Sequence, residues 1–99
     1  MNVKLKKEND ILNVAIEGRL DTVTAPSLEK EVNGGLDGVT ALTLDFEKLE
    51  YISSAGLRVL LSLQKQMNKK GKMTILHVNE TVKEVFDITG FSDILTIEA

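Results

Sequence analysis

The chain has 99 residues, a formal net charge of −3 and 42% apolar residues, with no cysteine and no tryptophan. That length and apolar content suit one modest core, so a single domain over residues 1–99 is expected. Lack of cysteine excludes disulfides, thiolate metal sites and a cysteine nucleophile. Mild acidity, without a basic stripe interleaved with aromatics, argues against nucleic-acid binding.

Val3 and Leu5 alternate with polar residues, Asn9-Asp10 supplies a turn, and Leu12, Val14 and Ile16 alternate again up to Gly18. This pattern predicts a hairpin. Met1 to Asp10 lacks the apolar run of a signal peptide, and no stretch approaches the roughly 20 apolar residues of a membrane span. A cytoplasmic protein is the expectation. After Asp21 and Thr22, Pro26 lies where the first turn of a helix tolerates it; Ala25, Leu28 and Val32 form a stripe that Gly34-Gly35 stops.

Leu42, Leu44 and Phe46 alternate in the next strand, and a loop is expected from there to Tyr51-Ile52. The longest helix is predicted from Ser54 to Lys70, with Leu57, Leu60, Leu61, Gln64 and Met67 near one face and Gly71 at its end. Lys69, Lys70 and Lys72 cluster there, where cations suit the helix dipole. Met73 to Val78 reads as a buried strand, Thr81-x-x-Glu84 as the capping box of a third helix closed by Gly90, and Leu95 to Glu98 as an edge strand. The order β-β-α-β-α-β-α-β predicts an α/β fold: a mixed sheet of four to five strands, largely parallel after the hairpin, with helices mainly on one face.

The segment Tyr51-Ile52-Ser53-Ser54-Ala55-Gly56-Leu57 puts two serines where a loop becomes a helix. One reading is purely local: a serine there caps exposed N–H groups, and small residues let the helix pack closely. The other uses the same physics. A phosphate on Ser54 would carry a charge near −2 at the positive end of the helix dipole, with amides of Ala55 and Gly56 to solvate it. Gly56 would let a partner or phosphate approach the backbone, and Arg58, one turn on, could pair with the phosphate.

This segment, preceded by Leu42-Thr43-Leu44-Asp45 and by Gly18-Arg19-Leu20-Asp21 before the first helix, resembles the STAS domain signature. It is most similar to that of bacterial anti-sigma factor antagonists, and the resemblance spans nearly the whole chain. The family hallmark is Asp-Ser-(Ser/Thr/Ala)-Gly-Leu, with the serine after the aspartate phosphorylated. Carried over, that serine is Ser54, followed by Ala55, Gly56 and Leu57, while Ser53 takes the place of the aspartate.

The resemblance implies a STAS-like protein that catalyses nothing and binds no cofactor, and a monomer is expected for so small a chain with so mixed a surface. Its partner would be an anti-sigma factor with serine kinase activity of the GHKL ATPase type. Binding would release a sigma factor, phosphorylation of Ser54 would break the complex, and a PP2C-type phosphatase would restore it. Asp21, Thr22, Ser53, Ser54, Ala55, Gly56, Leu57 and Arg58 would form the partner face, although Asp21 also suits a capping role before Pro26. With Ser53 in the aspartate position, the alternative is a STAS adaptor in a signalling or transport assembly, never phosphorylated.

Other chemistry is sparse. His77 is the single histidine and falls in the apolar strand, which favours a satisfied structural histidine over a catalytic base, and a metal site is not expected. Asp45, Glu47 and Glu50 are expected to scatter over strand and loop. A hydrolase built on Ser54 and His77 would need a nucleophile elbow, yet Ile52 stands where the first glycine belongs.

Overall fold

The computed structural model describes residues 1–98, so Ala99, the last residue of the expected domain, lies outside the described residues. Strands β1 (Asn2–Glu8) and β2 (Ile11–Leu20) form the expected antiparallel hairpin, with Glu8 opposite Ile11 across the Asn9-Asp10 turn. Asn9 takes the left-handed conformation, φ 57°, which asparagine tolerates better than most residues. Then follow α1 (Ala25–Asn33), β3 (Ala41–Asp45), β4 (Leu49–Ile52), α2 (Ser54–Asn68), β5 (Lys72–Leu76), α3 (Glu80–Thr89), a short 3-10 turn (Phe91–Asp93) and β6 (Ile97–Glu98).

The sheet runs β1-β2-β3-β5-β6, parallel from β2 onward. Every crossover from β2 steps the same way across the sheet. Right-handed connections therefore stack all three helices on one face. The register shows which residues meet them: Leu12, Leu42 and Met73 align across three strands, as do Val14, Leu44 and Ile75, and all six are buried. The helices answer with Ala25, Leu28 and Val32 from α1, Leu57, Leu60, Leu63 and Met67 from α2, and Val82 and Phe86 from α3. Burial of each large side chain contributes on the order of 2 kcal/mol. The opposite face, with Asn13, Thr43 and Thr74, stays half-buried.

The strand β4 replaces the expected loop. Its buried residues, Leu49 and Ile52, are three apart, with Glu50 and Tyr51 exposed between them, so the period of two never appears in the sequence. It pairs with the end of β2 across a register slip: Gly18 faces Leu49, but Arg19 faces Tyr51, which leaves Glu50 as the bulged residue. The Arg19 guanidinium lies 4.4 Å from the Tyr51 ring centre, covering this pair on the outside.

The N-cap of α3 is Asn79, not the expected Thr81: Asn79 Oδ1 accepts from the Val82 amide at 2.8 Å, while its Nδ2 donates to the Leu49 carbonyl at 2.8 Å. Anchorage to β4 thus sets the helix start two residues early, placing Thr81 inside the first turn. Gly71 does follow α2, but for space: a Cβ there would fall 1.8 Å from the Thr40 carbonyl oxygen.

Candidate functional site

The slip in β2–β4 pairing has a consequence at the strand ends. Leu20 pairs with Ile52, and the Ser53 amide donates to the Leu20 carbonyl at 2.8 Å. The turn after β2 and the start of α2 are thereby held side by side, although 32 residues apart in register at Leu20–Ile52.

Ser53 is the N-cap of α2. Its backbone is extended, φ −98° and ψ 175°, and its Oγ accepts from the Gly56 amide at 3.4 Å. Its carbonyl takes the Leu57 amide at 3.0 Å. Ser54 is the first residue of the helix proper, exposed, and its hydroxyl makes no hydrogen bond among the described residues. The amides of Ser54 and Ala55 precede any carbonyl that could receive them within the helix, so they point outward as donors. No acidic residue occupies the first turn to offset the dipole, and Arg58 is exposed one turn further on.

Gly56 and Leu57 correct the sequence expectation. Gly56 is buried and faces inward: a Cβ would stand 2.8 Å from Ile52 Cγ1 and 2.8 Å from Leu20 Cγ. Its glycine serves helix-to-strand contact rather than approach by a partner. Leu57 is 6% exposed and belongs to the core. Both position the site from beneath, while the accessible side chains are Thr22, Ser54 and Arg58, with Asp21, Ser53 and Ala55 half-buried.

Asp21 is held by its own turn. Its Oδ1 accepts from the amides of Val23 at 3.0 Å and Thr24 at 3.1 Å, while Thr24 Oγ1 donates to the Arg19 carbonyl at 2.8 Å. The Thr24 amide foremost, with further bonds and the Arg19 charge, lowers the Asp21 pKa despite some desolvation. Asp21 thus closes the turn before α1, whose own N-cap is Thr24 with no side-chain cap bond. The turn that Asp21 makes leaves Val23 83% exposed.

His77 and its neighbours depart from expectation. His77 lies beyond β5, exposed, with φ 58°, and its Nδ1 is 2.9 Å from Asp45 Oδ1. Glu47, whose amide donates to Asp45 Oδ1 at 3.0 Å, brings its carboxylate 4.0 Å from the same nitrogen. Asp45 and Glu47 are therefore gathered rather than scattered, because β3 and β5 are adjacent and end level with each other. Their donor atoms and that of His77 lie within 4.8 Å, the one metal-capable group among the described residues. The Asp45 hydrogen bond raises the His77 pKa above its ordinary 6.5. Burial pushes Asp45 up, but the bonds from His77 and the Glu47 amide prevail and lower it. No sequence signal marks this cluster, since it depends on strand adjacency. His77 Nδ1 is turned to Asp45, and no hydrogen bond joins His77 to Ser54 among the described residues. No helix among the described residues is long and apolar enough to cross a membrane.

Comparison with known proteins bears on this arrangement. Residues 2–99 match the family model of the STAS domain. BtrV of Bordetella bronchiseptica, a candidate anti-sigma factor antagonist, is 34% identical over 99 residues, covering 98% of this chain and 85% of its own. The anti-sigma-B factor antagonist of Staphylococcus aureus is 27% identical over 99 residues, 98% of this chain and 92% of its own. Among solved structures, the Bacillus cell fate determinant SpoIIAA in its phosphorylated form superposes with a TM-score of 0.76 at 18% identity, covering 99% of this chain and 92% of that one.

Proposed function

This chain belongs to the STAS domain family, and we propose that it is itself an anti-sigma factor antagonist working by partner switching. Like its relatives it is a regulator, not an enzyme. Unphosphorylated, it binds an anti-sigma factor with serine kinase activity in the cytoplasm and frees a sigma factor. Phosphorylation of Ser54 ends that binding, and a PP2C-type phosphatase restores it. ATP and Mg²⁺ belong to the kinase.

One observation supports this reading above others: the two serines divide the work. Ser53 caps α2, the task an aspartate performs equally well, so serine in the aspartate position keeps the helix start intact. Ser54 is left exposed with an unbonded hydroxyl, available to a kinase. A phosphate there suits the fold, at a helix N-terminus with Arg58 one turn away. It does not suit a docked partner, which would have to desolvate about two negative charges.

The test is phosphorylation by the purified kinase-type anti-sigma factor with Mg²⁺ and ATP, followed by mass spectrometry. One phosphate on Ser54 is expected; Ser54→Ala should stay bound, and Ser54→Asp should bind at least about tenfold more weakly, ~1.4 kcal/mol. Equal binding by Ser54→Asp would sink the switch. Partner binding with Ser54 never modified would favour the adaptor reading.

A further inference from the structure

Between Ser54 and Asn68 the helix α2 contains neither aspartate nor glutamate. Its outer side carries Arg58, Ser62 and Lys65, with Lys69 at the C-cap; with Leu61 and Gln66 they line a shallow groove. At ~100° per residue, Ser54, Arg58, Ser62, Lys65 and Lys69 fall within an arc of about 80°, extending ~22 Å along the axis. None of the three cations has a carboxylate within ion-pair distance among the described residues. Lys65 and Lys69 complement the negative end of the dipole, but Arg58 sits near the positive end, where a cation gains nothing from it. Helix stability therefore accounts for Lys65 and Lys69 but not for Arg58.

We propose that the outer face of α2 is a docking surface for an acidic face of the protein partner that engages the Ser54 end. This rests on the reading above that the helix start is a partner contact. The stripe is continuous with Ser54, and half-buried Leu61 with Ser62 and Gln66 interleaves apolar area and hydrogen-bonding groups among the charges, as at a protein interface. A nucleic acid fits less well. Three cations over ~17 Å compare poorly with one phosphate charge per ~1.7 Å of duplex, and no aromatic residue lies on the face for stacking. Within this arrangement a phosphate on Ser54 acts twice: it pairs with Arg58, removing the top cation of the stripe, and it repels the acidic partner.

The test compares wild type, Lys65→Glu/Lys69→Glu and Lys65→Arg/Lys69→Arg for binding to the purified kinase-type anti-sigma factor at about 50 and 300 mM salt. Both positions lie over ten residues from Ser54, and circular dichroism checks that each variant is folded. Expected are at least about tenfold weaker binding of the Glu pair at low salt, chiefly through a slower on-rate, and a flattened salt dependence. The Arg pair should match wild type. Binding of the Glu pair within about twofold of wild type would overturn the docking surface, while leaving the antagonist reading intact. Failure of the wild type to bind would instead remove that reading and this inference with it. Charge-dependent retention on duplex DNA or phosphatidylserine vesicles, with no effect of the Glu pair on the protein partner, would overturn the assignment to a protein.

Discussion

Gly56→Ala tests how the site is supported. The added Cβ would lie 2.8 Å from Ile52 Cγ1, 2.8 Å from Leu20 Cγ and 3.1 Å from the Leu20 carbonyl oxygen. Leu20 and Ile52 are strand partners, 0% and 2% exposed, so neither side chain can swing into solvent to make room. Overpacking of this kind costs ~1–3 kcal/mol, and alanine recovers at most ~1 kcal/mol over glycine through helix propensity. The net is a loss of about 1–2 kcal/mol, which for a domain of this size lowers Tm by roughly 5–15 °C. Thermal and urea unfolding followed by circular dichroism would measure it. Relief requires the first turn of α2 to lift off the strands, and Gly56 donates its amide to the Ser53 cap. Partner affinity should therefore fall in the fraction that remains folded. An alanine protein as stable as wild type, or more so, would refute the close-approach argument, because propensity alone would then decide the outcome.

Ser53→Ala should cost ~0.5–1 kcal/mol in urea unfolding, the lower part of the capping range given its 3.4 Å bond, whereas Ser53→Asp should restore wild-type stability. If the aspartate variant unfolds as easily as the alanine one, serine and aspartate are not interchangeable caps here. The His77–Asp45 pair predicts a pH dependence. Raised His77 stabilises fully below its ordinary 6.5 and loses that contribution as pH climbs through its higher folded value. Lowered Asp45 contributes above 3.8 and loses its share as pH falls through its lower folded value. The urea midpoint of wild type should therefore fall as pH rises above 6.5, and His77→Gln should flatten that fall. A variant with the same slope as wild type would exclude His77 as its source.

Much of the chain could be read locally because the deciding forces are local. The hairpin follows from alternation at Leu12, Val14 and Ile16 around a turn whose asparagine accepts a positive φ. The first helix follows from Ala25, Leu28 and Val32 on one stripe, and its end from two glycines. Ser54 and Arg58 were identifiable as exposed neighbours at a helix start, because helical spacing alone puts them on one side. The capping of α3 escaped, since Asn79 is selected by a bond to the distant Leu49 carbonyl. Strand β4 escaped because a bulge at Glu50 erases the alternation.

At the start of α2 the division is clear. The residue types themselves determine a capped helix beginning at Ser53-Ser54, since capping and propensity act over a few residues. Tertiary structure decided which serine caps and which is left exposed. It also decided that Gly56 faces Leu20 and Ile52 rather than a partner, and that three cations from separate turns form one unpaired stripe. Those outcomes depend on where β2 and β4 end and on which face α2 turns to the sheet. Both are properties of packing between segments that lie far apart in the chain.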